Sequence, residues 1–192
     1  MEKPAVDEFP VVGEPLALDL INTRVRTAEG ETDLLATPAA LRAWLAIQAE
    51  RLPQPDAPIA AAELASVHAI REDIAMAIRH AQQAQHPPAQ ALRALTDAQR
   101  AAPAYRELAW DGAVVASATR RDGDYGARLV AELAEAAADL LTGPTIATVR
   151  QCDGPGCALL FLPAHPRRRW CSPRLCGNRV RVARYYQRHK VP

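Results

Sequence analysis

Apolar residues recur at intervals of three and four along five stretches of the chain, and each stretch predicts a helix. The first is short: Leu16, Leu20 and Ile21 follow Gly13-Glu14-Pro15. Thr37 and Pro38 form a cap-and-first-residue signal ahead of Leu41, Trp44 and Leu45. The longest helix is expected from about Ile59 to Gln83, with Leu64, Val67, Ile70, Ile74 and Ile78 as one stripe. A shorter one over Ala89 to Gln99 turns Leu92 and Leu95 inward. The last, Tyr125 to Leu141, buries Leu129, Leu133, Leu140 and Leu141 and stops at Gly143-Pro144. Between the last two the period changes. Strand-like runs over Tyr105–Trp110 and Ala113–Arg120 flank Asp111-Gly112, a hairpin signal. Residues 24 to 36 read as a polar loop. Residues 1 to 13 read as an extended lead-in with Phe9, Val11 and Val12 as anchors.

After residue 143 the pattern shortens. Thr145 to Gln151 and Ala158 to Leu162 read as two strands joined by a Gly-Pro-Gly turn. Ser172 and Pro173 then start a helix expected to run to about His189. The fold class is therefore mainly α. A helical N-terminal domain with one β-hairpin (residues 1–143) precedes a small zinc-ribbon-like module ending in a basic helix (residues 145–192).

Charge sharpens that division. Residues 150 to 192 hold ten Arg or Lys against one acid, Asp153, whereas the preceding 149 hold thirteen basic and twenty-one acidic residues. An acidic body with a basic tail points to a polyanionic partner for the tail. No apolar run is long enough to span a membrane. The start of the chain has neither a basic end nor an apolar core, so a cytoplasmic protein with reduced thiols is expected.

All four cysteines fall in that tail, as Cys152/Cys157 and Cys171/Cys176, each pair enclosing four residues. Four clustered thiols in a reducing compartment suit one tetrahedral ion, and soft sulfur ligands favour Zn2+, with iron the weaker alternative. Two disulfides would need export, and the two-residue spacing of redox pairs is absent. A complete thiolate set leaves no open position, so the zinc is expected to be structural. Helix dipole and arginines offset its negative charge, with Arg168, Arg169 and Arg179 as candidates. Arg167, Arg168, Arg169, Arg174, Arg179, Arg181, Arg184 and Arg188 are the candidate nucleic-acid contacts. A helix fits the DNA major groove, and arginine grips phosphate or guanine.

The helical domain carries little readable chemistry. No nucleotide-binding glycine loop, catalytic carboxylate pair or nucleophile motif occurs, so an enzyme is not expected. Asp19 and Asn22 lie three apart on one helix face. They are candidates for a small-molecule pocket, or local hydrogen-bonding groups that tie down the next loop. His68 and His80 read as surface or satisfied core groups.

Arg169-Trp170-Cys171 followed by Cys176-Gly177-Asn178-Arg179 resembles the CGNR zinc finger family, and Leu18-Asp19-Leu20-Ile21-Asn22-Thr23 is similar to the opening motif of the ABATE domain that precedes that finger. The resemblance covers essentially the whole chain. It implies four ligands at Cys152, Cys157, Cys171 and Cys176, motif positions at Trp170, Gly177, Asn178 and Arg179, and a role as a bacterial stress-induced transcription regulator or an RNA-binding zinc-ribbon-like protein. One departure stands out: Leu162-Pro163-Ala164-His165-Pro166 replaces the family's polar loop. The leading expectation is a zinc-dependent DNA-binding regulator, with a homodimer and a small-molecule effector both possible for the N-terminal domain. The alternatives are RNA binding, a pocket-bearing binding protein or enzyme near Asp19 and Asn22, and a finger that docks an acidic protein.

Overall fold

The computed structural model describes residues 9, 13–27, 30–178 and 181–182. Five α-helices build the body: α1 (Leu16–Ile21), α2 (Pro38–Ile47), α3 (Ala61–Ala81), α4 (Ala89–Ala101) and α5 (Tyr125–Thr142). Each of the five helices predicted between residues 16 and 141 forms, and the start signals work locally. The Thr37 hydroxyl accepts from the Ala40 amide at 3.1 Å, and the Asp124 carboxylate from that of Ala127 at 2.8 Å. The α3 stripe is buried throughout and packs against α1, α4 and α5. Leu92 is an exception on α4, lying at the surface while Leu95 is buried. Phe9 anchors on the core; Val11 and Val12 lie outside the described residues.

Two hairpins, not one, decorate this body. The Asp111-Gly112 hairpin joins β3 (Ala104–Trp110) to β4 (Val115–Arg121), with Trp110 opposite Val115. Its turn is longer than the tight type expected. The Asp111 carboxylate accepts from the amides of Ala113 and Val114, both at 2.9 Å, and Gly112 takes φ +104. The second hairpin, β1 (Arg24–Thr27) with β2 (Gly30–Asp33), corrects the loop assigned to residues 24–36. Its strands read Arg-Val-Arg-Thr and Gly-Glu-Thr-Asp, with no apolar alternation to betray them.

What holds that hairpin is a charge. Arg71 on α3 is 1% exposed and donates to the Thr23 hydroxyl at 2.8 Å and to both Asp33 oxygens at 2.8 and 2.5 Å. Burial alone would push the Asp33 carboxyl up, but Arg71, the Leu35 amide and His68 together hold it below its usual value. The lowered value means stability that is present above the unfolded carboxylate range and lost as pH falls through the folded value. Arg71→Met is expected to cost about 2–3 kcal/mol at neutral pH, below the roughly 3–5 kcal/mol of a fully buried pair because Asp33 is a quarter exposed. The gap between wild type and variant should begin to shrink as pH falls below the unfolded carboxylate value of about 4 and close only below the lowered folded value, where Asp33 protonates in both. Urea titrations at neutral and acid pH read this directly; a gap that does not shrink removes Asp33 as the cause.

Beyond α5 the chain makes a 3-10 turn (Ile146–Thr148), then β5 (Arg150–Gln151) paired antiparallel with β6 (Leu160–Phe161). The strand expected from Thr145 therefore starts only at Arg150. Pro144 precedes a turn closed by the Thr145 carbonyl, which accepts from the Thr148 amide at 2.9 Å and its hydroxyl at 2.7 Å. A π-helical turn (Pro173–Gly177) follows the connecting loop, and Asn178, Arg181 and Val182 are helical. The rest of the expected basic helix lies outside the described residues.

Candidate metal centre

Four local devices bring the cysteines together. Cys152 follows β5 directly, and its amide bonds to the Leu159 carbonyl at 2.9 Å. The Asp153-Gly154-Pro155-Gly156 loop reverses the chain to Cys157, with Gly156 at φ +71. The Asp153 amide bonds to the Arg169 carbonyl at 3.0 Å, which sets Cys171 beside the first pair. Ser172 caps the π turn by accepting from the Leu175 amide at 3.1 Å, and this presents Cys176.

The ligand atoms of all four cysteines lie within 4.8 Å of one another. Cys152, Cys171 and Cys176 are buried, Cys157 half-buried, and none is in a disulfide. Zinc–sulfur bonds of about 2.3 Å place tetrahedral sulfurs about 3.8 Å apart, so one Zn2+ fits this donor set. The surroundings are made for closely approached sulfur. A Cβ on Gly154 would stand 2.8 Å from the Cys176 sulfur, so only glycine passes there. The amides of Cys171 and Gly154 donate to the Cys152 sulfur at 3.2 and 3.4 Å.

Electrostatics also ask for a cation. The hydrogen bond from the Cys171 thiol pulls Cys157 down to about 5 against the opposing effect of burial. That same bond to Cys157, then burial and the neighbouring charges, push Cys171 far up. Burial and the Cys157 charge push Cys176 up to about 11. Cys157 readily carries a thiolate, and ionising Cys171 and Cys176 as well calls for a divalent ion beside them.

The predicted arginines divide. Arg168 is turned inward: its guanidinium donates to the carbonyls of Trp170 at 3.1 Å, Leu162 at 3.2 Å and Cys171, and to the Glu14 carboxylate at 2.6 Å, and it lies 4.4 Å over the Phe161 ring. Arg169 is exposed, pairs with Asp153 at 2.8 Å and sits 5.4 Å over the Trp170 ring. Arg167 is exposed. Arg181 is exposed and donates to the Asn178 side chain at 3.2 Å. Gly177 bonds its amide to the Ser172 carbonyl at 3.1 Å, and Trp170 packs against the cysteine cluster. Arg179, Arg184 and Arg188 lie outside the described residues, as does the Arg174 side chain.

Asp19 ties down the segment before its own helix, while Asn22 joins the body to the metal module. Both are buried, at 1% and 2% exposure. Asn22 reaches across 138 residues to β6, donating to the Leu160 carbonyl at 2.8 Å and accepting from the Leu160 amide at 2.9 Å. Asp19 accepts from the Gly13 and Glu14 amides at 3.0 and 3.2 Å and pairs with Arg51. Burial pushes its carboxyl up, and Arg51 with those amides pulls it partway back. Glu14, which sequence reasoning passed over, is 7% exposed and accepts from the Leu162 amide at 2.8 Å as well as from Arg168. Leu160 and Val149 complete the join by packing into the body's core. A cleft of about 460 Å³ opens on the other side of Arg51, between residues 49–56, β4 and α5, lined among others by Arg121, Arg128 and Glu132.

Two family models match the chain. Residues 14–144 match ABATE, described as "Putative stress-induced transcription regulator", and residues 148–189 match the CGNR zinc finger. Neither describes a catalytic family. No curated protein matches the chain.

Proposed function

The chain belongs to the ABATE family and ends in a CGNR zinc finger, and from that premise we propose that it is a cytoplasmic, zinc-dependent, DNA-binding transcription regulator of a stress response. One observation carries the reading: a metal-held module whose outer surface is arginine unopposed by acid. Its single acid, Asp153, is already paired with Arg169. Arg150, Arg167 and Arg181 are exposed and have no acidic partner among the described residues. Such a surface binds phosphate backbones, and the helix begun at Pro173 is the element that enters a groove.

The helical body supplies sensing or dimerisation. The cleft beside Arg51 supports a sensor role for a physical reason. Arg51 holds both Asp19 and the Glu14 carbonyl, at 2.8 Å to the latter, and that same segment carries the contacts to β6 and Arg168. A ligand that displaced Arg51 would loosen the seat of the finger.

The test is binding of zinc-loaded protein to genomic duplex fragments across a salt series, against structured RNA as competitor. Log affinity should fall with log salt, and Arg167→Ala/Arg181→Ala should flatten the slope by about 0.9 for each lost phosphate contact. No duplex binding at low salt sinks the regulator reading. Structured RNA displacing duplex DNA at equal concentration replaces it with RNA recognition.

A further inference from the structure

The cleft of about 460 Å³ beside Arg51 has walls that are each tied down. Tyr125, at the start of α5, donates its hydroxyl to the Pro53 carbonyl at 3.0 Å, which clamps residues 49–56 to that helix. Within that segment the Gln54 side-chain amide donates to the Leu45 and Leu52 carbonyls at 2.9 and 3.1 Å. The end of β4 is fixed too: Arg121 donates to the Ala102 carbonyl at 2.6 Å and pairs with Glu135 on α5. The volume lies in the range of small-molecule sites, and walls already in place lower the cost of filling it.

Four arginines and three acids line this cleft, and their other contacts sort them. Arg51 is held by Asp19, Arg120 by Glu107 at 2.8 Å and Arg121 by Glu135. Arg128 is left over. It lies half-buried on α5, and its Nε is buried with no acceptor among the described residues. A buried donor without an acceptor costs free energy that a bound acceptor recovers. Glu132 stands one turn further along α5, also half-buried. Arg128 precedes it, the poorer order for a direct i,i+4 pair, and among the described residues no ion pair joins the two. Burial pushes the Glu132 carboxyl up, Arg121 and Arg128 pull against that, and Glu135 adds to it. Its charge is therefore under-compensated. Glu50 and Asp56, the other acids of the cleft, are exposed.

We propose that this cleft binds a free α-amino acid, whose carboxylate accepts from the Arg128 guanidinium and whose ammonium donates to the Glu132 carboxylate. The proposal rests on the sensor role given above and names the class of molecule sensed. Charge selects that class. With the paired arginines set aside, one guanidinium shares the cleft with the carboxylates of Glu132, Glu50 and Asp56. A plain anion would meet more repulsion than attraction there. A plain cation would leave the Arg128 Nε unpaired. A zwitterion answers both. Spacing agrees with charge. Neighbours at i,i+4 on a helix are about 6 Å apart at Cβ, and a ligand with both charges on one carbon is short enough to lie across them. Guanidinium grips a carboxylate through two parallel hydrogen bonds, and the ammonium supplies the charge that Glu132 lacks.

Isothermal titration calorimetry of the zinc-loaded full chain, without nucleic acid, against each proteinogenic amino acid tests this. At least one is expected to bind at millimolar concentration or below. Its carboxamide, which lacks the anion, and its N-acetyl derivative, which lacks the cation, should each bind at least about tenfold more weakly. Arg128→Gln and Glu132→Gln should weaken the amino acid itself by as much, with circular dichroism and zinc content unchanged. The two derivatives read the same contacts on the wild type, so a variant that fails to fold does not spoil the test. Binding by no amino acid overturns the proposal. So does a carboxamide or N-acetyl derivative that binds as well as its parent, or an amino acid held as tightly by either variant, which would put its site elsewhere. A chain that binds duplex DNA but no amino acid keeps the regulator reading and loses this one. Amino-acid binding without DNA binding does the reverse.

Discussion

Stripping zinc with a chelator, or replacing Cys176 with serine, is expected to unfold the finger while the helical body stays folded. The reason is how little else holds it. The finger's own buried cluster is Cys152, Leu159, Phe161, Cys171 and Cys176, so three of its five members are ligands. Its described regular structure is one two-residue strand pair and one π turn. A cluster that small cannot offset the conformational entropy of ordering some thirty residues at roughly 1–2 kcal/mol each. A structural zinc site contributes on the order of 10 kcal/mol or more. Hydrogen exchange gives the readout. The amides of Cys152, Asp153, Cys171 and Leu175, all bonded within the finger, should lose protection. Those of α3 and α5 should keep it, because their cores are buried independently of the thiols. Metal analysis must show one zinc per chain before treatment. Retained protection at Cys171 after verified zinc loss would overturn the structural role of the ion.

The cysteine spacing announced this centre because ligand chemistry is local in sequence: each pair lies on one turn of chain, and glycine, proline and serine around it are turn and cap residues. The same holds for α2 and α5, whose caps and apolar stripes sit side by side. Other features were written over long distances. The β1–β2 hairpin has no alternating apolar face, and its register depends on Asp33 meeting Arg71 on α3. Arg168 looks like its neighbours in a basic run. A carboxylate 154 residues away, on Glu14, together with three loop carbonyls turns it inward. Asn22 was visible as a polar group on a helix face, but its partner is a backbone unit of β6, which no residue type marks. A polar residue amid an apolar stretch signals a buried partner without naming it.

That partner makes Asn22 the position where one side chain has the largest effect on how body and finger are joined. Its amide satisfies both the N–H and the C=O of Leu160, and Leu160 is 1% exposed. In Asn22→Ala both groups are left buried and unpaired. At about 1–3 kcal/mol each, the expected loss is about 4 kcal/mol from the docked state. The finger should keep its zinc, since no ligand is touched, yet Leu160 should lose exchange protection and the linker near Thr145 should become open to protease. Asn22→Asp separates donor from acceptor. An ionised carboxylate there keeps the bond from the Leu160 amide and loses the bond to its carbonyl. Burial and the facing Leu160 carbonyl, against the one amide donor, raise the folded pKa of the new carboxyl above the unfolded value of about 4. Its protonated form, which restores an O–H donor, is therefore the stable one in the folded protein. Relative to wild type, the penalty should be smallest below about pH 4 and grow as pH rises through the folded value. Thermal unfolding of wild type, Asn22→Ala and Asn22→Asp at acid and neutral pH decides it. An alanine variant with an unshifted transition and a protected Leu160 amide would mean that Leu160 and Val149, packed in the core, suffice to seat the finger without Asn22.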